Sequence, residues 1–314
     1  MTELRKDSVS QITIDDADAG QRIDNYLVRI LKGVPKSHVY RILRSGEVRV
    51  NKGRIEASYR IQIGDVLRIP PIRIASREDG GRPVPAAVFP IVFEDDALLV
   101  IDKPAGVAVH GGSGVSFGVI EQLRASRPDA RYLELVHRLD RETSGLLMIA
   151  KKRSALTALH RFMREGRPDK RYLALAIGSW PAQRREVKEP LLKFTLPDGE
   201  RRVRVSPEGI SAHTRFTLVE SFADFSLVEA KLLTGRTHQI RVHMQCCGQA
   251  IAGDDKYGDF GLNKQLMRQG LKRMFLHAAR LSLPHPLTGE PLELRAPLPK
   301  ELEQFLVTLR GRHE

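Results

Sequence analysis

The stretch His137-Arg138-Leu139-Asp140-Arg141-Glu142-Thr143-Ser144-Gly145 sets one carboxylate, Asp140, between two arginines and just before an apolar run. A neighbouring guanidinium favours the charged form of a carboxylate. Glycosidic chemistry needs a carboxylate that stays ionised, and a nucleophile working beside a polyanion would occupy such a setting. An acid flanked by arginines is most often an exposed ion pair of small consequence. The motif therefore has to be weighed with the segments downstream.

Two such segments stand out. In Lys170-Arg171-Tyr172-Leu173-Ala174 a tyrosine opens an apolar strand. That is usually a packing position, but a tyrosine ring also stacks on bases and carries a hydroxyl for hydrogen bonding or proton transfer. In Thr234-Gly235-Arg236-Thr237-His238-Gln239-Ile240-Arg241-Val242-His243 a strand ends at Leu233 and Gly235 turns the chain. Thr237 is placed to cap a helix running to Gly248, with Ile240, Met244 and Cys247 as its apolar stripe and Cys246 and Cys247 packing its end. His238 and His243 invite a zinc reading. Five residues apart on a helix they diverge by about 140°, and on a strand they face opposite ways, so they cannot chelate one ion. No metal site is expected. Gly111-Gly112-Ser113-Gly114 lacks the Gly-Lys-Ser/Thr ending of a phosphate loop and reads as a flexible loop.

The chain has 314 residues and a formal net charge of +13. A basic protein of this size most often meets nucleic acid, and less often an anionic membrane surface. Ten Lys/Arg face three Asp/Glu over residues 21–60, and ten face two over 151–185, just downstream of the Asp140 motif. The two cysteines, Cys246 and Cys247, are adjacent. Neighbouring cysteines rarely pair, and two make no zinc site alone. A reducing cytoplasm fits, and no apolar run reaches the length of a membrane span. The polar N-terminus has no signal-peptide core.

The elements that must position these residues fall into two bodies. After a lead-in over 1–19 with a strand at 11–14, residues 20–70 form a small unit. Ile23, Leu27, Ile30 and Leu31 recur at helical spacing up to Gly33. A second helix opens at Pro35-Lys36-Ser37 and ends at Gly46. A strand over 48–51 turns at Lys52-Gly53, and another covers 66–69. Such a unit has a marginal core and suits a tethered recognition module. Arg41 and Arg44 share a helical face that can sit on a phosphate backbone. A Gly/Pro-rich linker spans 71–88. A larger domain over 89–309 and a tail over 310–314 complete the chain. Its strands (97–101, 145–150, 171–177, 225–233, 280–283) alternate irregularly with helices (117–126, 154–164). This predicts an α+β fold with a mostly antiparallel mixed sheet, not a doubly wound parallel one.

The three motifs, in this order, resemble those of the RluA family of RNA pseudouridine synthases. Lys103-Pro104-Ala105-Gly106-Val107-Ala108-Val109-His110 resembles a further family segment. The ordered set Arg22-Ile23-Asp24, Lys36-Ser37, Gly46-Glu47-Val48-Arg49-Val50-Asn51 and Gly64-Asp65 resembles the S4 RNA-binding fold. The resemblance implies a pseudouridine synthase catalytic domain behind an α/β S4-like domain that meets RNA through Lys36, Arg41, Arg44 and Arg49. It implies Asp140 as the catalytic aspartate, Arg241 as its partner and Ile240 as lining of the base pocket. Tyr172 is implied as the base-stacking ring, with proton acceptance left open, and Arg138 as the candidate to fill the gap left by a flipped base. No cofactor is implied.

Leu31-Lys32-Gly33-Val34-Pro35-Lys36-Ser37, His110-Gly111-Gly112-Ser113-Gly114, Val203-Arg204-Val205-Ser206 and Phe275-Leu276-His277-Ala278-Ala279 resemble the branch that modifies several uridines of 23S ribosomal RNA. The implied partner is 23S rRNA or a large-subunit precursor, with free or partly assembled RNA the more accessible. A cytoplasmic monomer is the default. Cys246-Cys247 and Gln249 depart from the residues common there, without an attached change of function. Two other classes compete. A non-catalytic RNA-binding or ribosome assembly factor would explain the charge but not three chemical motifs in register. A nucleoside or glycoside hydrolase would need a second carboxylate across the bond, and Glu142, two residues from Asp140, is poorly placed for that.

Overall fold

The computed structural model describes residues 8–15, 18–31, 34–72, 84–111, 117–181 and 185–311. The chain divides into two compact units near residue 84. Gly33, most of the linker and most of the glycine loop after His110 lie outside the described residues.

The first unit runs β1 (Ser10–Thr13), α1 (Ile23–Ile30), α2 (Lys36–Arg44), β2 (Arg49–Val50) and β3 (Val66–Ile69), with an antiparallel sheet ordered β1-β3-β2. The helical spacing read from the sequence does the packing. Ile23 and Leu27 from α1 and Val39, Ile42 and Leu43 from α2 join Leu67 and Ile69 in one buried cluster. Two buried acids lock the turns. Asp24 accepts from Arg22 and from the Tyr40 hydroxyl. Asp65 accepts from Asn51 Nδ2, Tyr59 OH and Gln62 N at 2.8–2.9 Å. Lys36, Arg41, Arg44 and Arg49 are all exposed.

The second unit continues with β4 (Ile91–Glu94), β5 (Leu98–Lys103), α3 (Val119–Ser126), β6 (Glu134–Leu135), β7 (Ser144–Ala150), α4 (Arg153–Arg164), β8 (Asp169–Ile177), β9 (Arg185–Val187), β10 (Leu191–Thr195) and β11 (Arg201–Val205). It ends with β12 (Thr214–Ser221), β13 (Phe225–Leu232), α5 (Gln239–Cys246), α6 (Phe260–Arg268), β14 (Leu276–Pro284), β15 (Pro291–Arg295) and α7 (Lys300–Arg310). A ten-stranded sheet runs β4-β5-β7-β14-β8-β13-β12-β9, with β15 on β14 and β6 on β7. Its pairings are antiparallel except β7–β14, which is parallel. The α+β, mostly antiparallel expectation holds. β10 and β11 form a separate hairpin.

The parallel junction is the centre of the sheet and ends beside the Asp140 loop. Gly145 lies at φ +108°, and a Cβ there would come within 2.3 Å of the Ala278 carbonyl oxygen, so the strands can approach only with glycine. Arg273 Nη2 donates to Ser144 Oγ at 2.8 Å, and Ser144 Oγ lies 2.8 Å from His277 Nδ1. With Ser144 donating to Nδ1, the His277 Nε2–H donates to the Ala296 carbonyl at 3.2 Å.

The fully buried His277 has its pKa pushed down to about 4, chiefly by burial. In the unfolded chain an imidazole titrates near 6.5. Between those values the unfolded chain binds a proton that the native state excludes, so stability falls as pH drops through the window. His277 alone contributes a loss on the order of 3 kcal/mol at its acid end. Urea midpoints measured between neutrality and about pH 5 should fall, and His277→Gln should flatten that slope. An unchanged slope in the variant would contradict the assignment.

Candidate active site

Asp140 sits in the loop between β6 and β7, and neighbouring loops stitch its backbone in place. Thr143 N donates to the Asp140 carbonyl at 3.1 Å. Gly106 N donates to the Arg141 carbonyl at 2.9 Å, and Arg141 Nε returns a bond to the Gly106 carbonyl at 3.0 Å. Beneath them lies Lys103, fully buried at the end of β5. Its ammonium donates to the carbonyls of Pro104, Val107 and Arg141 at 2.8, 2.8 and 3.1 Å. Burial, with the charge of Arg273, pushes the Lys103 pKa down to about 7. Lys103→Met leaves three carbonyls without their donor. We expect a stability loss of about 2–4 kcal/mol and a weakened site, read by denaturant unfolding and by turnover. A variant as stable as the parent would refute this role.

The carboxylate of Asp140, 19% exposed, opens into a cavity of about 580 Å³. Tyr172 from β8 and Ile240 and Arg241 from α5 line the same cavity, as does Arg138 on its exposed side. Residues some 30 and 100 positions apart in sequence are thus brought together. Arg241 Nη1 stands 3.6 Å from Asp140 Oδ2. Arg141 instead reaches Glu142 and the Gly106 carbonyl. The Arg138 side chain has no hydrogen bond or ion pair among the described residues.

Arg241 is aimed by a residue the sequence reading missed. The buried Asp254 takes its Nε and Nη2 at 2.7 and 2.6 Å, a bidentate fork, and Asp255 adds a contact at 3.2 Å. Asp254 also accepts from the backbone N–H of Lys256 and Tyr257. The Tyr257 ring lies under the guanidinium at 5.0 Å. Burial alone would lower the Arg241 pKa, but the bonds and charge of Asp254, with Asp140 and Asp255, carry it above the ordinary value. The available signal was the acid pair Asp254-Asp255 between Gly253 and Gly258.

The sequence presents His238 only as a candidate metal ligand. Its Nε2 lies 3.8 Å from Asp140 Oδ2, and its Nδ1 is 2.7 Å from the Tyr257 hydroxyl, which accepts from Val203 N of β11. His243 is buried elsewhere, against Thr214 Oγ1 and the Glu189 carbonyl. No group of residues able to hold a metal occurs among the described residues.

The helix start differs from expectation. The N-cap is His238, in the left-handed region at φ 53°, and no side chain caps it. Thr237 does not serve. The buried Gln239 amide instead accepts from Arg236 N and Thr234 Oγ1 and donates to Thr214 Oγ1 and the His213 carbonyl, tying α5 to β12. Along the helix Ile240 and Met244 are buried and Cys247 half-buried as expected, but Cys246 at its end is exposed and not a packing residue.

The RNA pseudouridylate synthase family matches residues 97–246, and the S4 domain family matches 21–67. Ribosomal large subunit pseudouridine synthase C of Pasteurella multocida is 54% identical over 96% of this chain and 94% of its own length. The chain belongs to the RNA pseudouridylate synthase family. The Escherichia coli K12 protein called ribosomal large subunit pseudouridine synthase C is also 54% identical to this synthase, over 97% of the chain and 98% of the relative. The solved structure of human RNA pseudouridylate synthase domain containing 4 superposes with a TM-score of 0.59 at 28% identity, covering 70% of this synthase and 93% of the human chain.

In this synthase the buried Tyr172 has its phenol pKa raised by burial and by the charge of Asp140. The hydroxyl stays protonated at neutral pH, which suits a stacking ring and disfavours a proton acceptor.

Proposed function

We propose that this chain isomerises specific uridines of 23S ribosomal RNA to pseudouridine, acting on free or partly assembled large-subunit RNA in the cytoplasm. The observation that carries the reading is the convergence of Asp140, Tyr172, Ile240 and Arg241 on one cavity in a member of this family. The large-subunit target follows from the relatives' names and their near full-length identity. No helix among the described residues is long and apolar enough to cross a membrane.

The target uridine leaves its stack at a cost of a few kcal/mol, and Arg138 occupies the vacated position. Tyr172 stacks on the extruded base against Ile240. Asp140, held by Arg241, acts on the ribose either as nucleophile at C1′ or as base at C2′. The N1–C1′ bond breaks, the base turns, and C5 bonds to C1′. Loss of the C5 proton restores aromaticity, and water is the better acceptor, given the raised phenol pKa. The exchange has no net redox change and needs no cofactor.

Purified protein with 23S rRNA carrying tritium at C5 of uridine tests this. Tritium release with pseudouridine as product is expected. Free uracil would indicate a hydrolase, and tight binding without release would indicate an assembly factor.

A further inference from the structure

We propose that Lys170 and Arg236 form a phosphate subsite that takes the backbone phosphate next to the target uridine. This rests on the functional reading above. The alternation of β8 separates two neighbouring cations. Arg171 faces one way and is neutralised by Asp169 and Glu229 at 3.1 and 2.9 Å, with Lys231 on the same Asp169 at 2.7 Å. Lys170 faces the other way, beside Tyr172, and lines the Asp140 cavity. Its ammonium makes no hydrogen bond or ion pair among the described residues. Its strongest charged neighbour is another cation, Arg236, and burial together with that charge lowers its pKa.

Arg236 lines the cavity too. Its Nε donates to the Ser211 carbonyl at 3.1 Å, which fixes the guanidinium while its outer nitrogens have no partner among the described residues. Gly235 passes directly beside the ammonium: a Cβ there would sit 3.4 Å from Lys170 Nζ. The charge of Asp140 is already met by Arg241. Two like charges held together without a carboxylate gain most from an anion placed between them. Two residues along a strand place the Lys170 backbone roughly 7 Å from that of Tyr172. That matches the reach from a stacked base to a phosphate of its own nucleotide. The base-stacking ring and the phosphate cation thus come from one strand, fixed relative to each other.

The test is a short RNA containing the target uridine, remade with one neutral methylphosphonate at a time. Wild-type kcat/KM should fall by about tenfold at one linkage flanking the target. Lys170→Met should show most of that loss on the unmodified RNA and lose clearly less than the wild type at that linkage, where Arg236 still acts, and Lys170→Arg should recover part of it. The salt slope of binding should fall by about one when the contact to this phosphate is lost. If Lys170→Met stays as sensitive as the wild type at every linkage, or the wild type is indifferent to all of them, the subsite is refuted. The scan on the wild type needs no variant to fold. If the unmodified RNA yields no pseudouridine at all, the functional reading itself fails, and this inference with it.

Discussion

Asp140→Asn removes tritium release almost completely while leaving RNA binding within roughly threefold of the parent. The substitution keeps the shape of the side chain and removes its charge. Arg241 remains bonded to Asp254 and Asp255 when Asp140 is neutral, so the wall of the cavity does not collapse. What is lost is the group that acts on the ribose. Removing such a group typically costs about ten-thousand-fold or more in turnover. Binding rests mainly on cations contacting phosphates, which the change does not touch. Full activity in this variant would remove Asp140 from the chemistry. A matching collapse of binding would make its role structural.

Asp254→Ala is expected to be the most damaging change outside Asp140. Asp254 is fully buried and takes the Nε and Nη2 donors on one edge of the Arg241 guanidinium, and Arg241 is only 3% exposed. Removing the bidentate partner of a buried charge costs about 3–5 kcal/mol, and the longer contacts to Asp140 and the exposed Asp255 offset only part of that. It also frees the guanidinium from the orientation that aims Nη1 at Asp140. Both a large fall in the urea midpoint and a loss of turnover are expected. Asp254→Asn keeps acceptor geometry on one edge and should be milder in stability. A fully stable, fully active Asp254→Ala protein would show that Arg241 needs no such anchor.

Much of this arrangement was legible in the sequence. The β3 strand matched its bounds, and β7 and β8 matched to within two residues because their apolar runs are bounded by charge and turn signals. The grouping of Asp140, Tyr172, Ile240 and Arg241 was legible only through the resemblance of whole motifs. No periodicity relates residues 100 positions apart. β14 was read too short because Leu276-His277-Ala278 carries a buried histidine and pairs in parallel with β7, a long-range contact that leaves no local pattern. Asp254 was missed because a buried carboxylate looks like any exposed one until its arginine is placed. The Thr237 cap failed because a buried glutamine competed for the same loop donors. His238 drew attention for metal spacing, whereas its position depends on a left-handed backbone that no residue type at that site announces.

The most direct measurement is a map of pseudouridines in 23S rRNA from cells lacking this gene, complemented with the wild type or with Asp140→Asn. The account predicts that specific 23S positions lose the modification, that the wild type restores them, and that the variant does not, although it is present at equal level. Unchanged 23S rRNA in the deletion strain, or restoration by the variant, would contradict it.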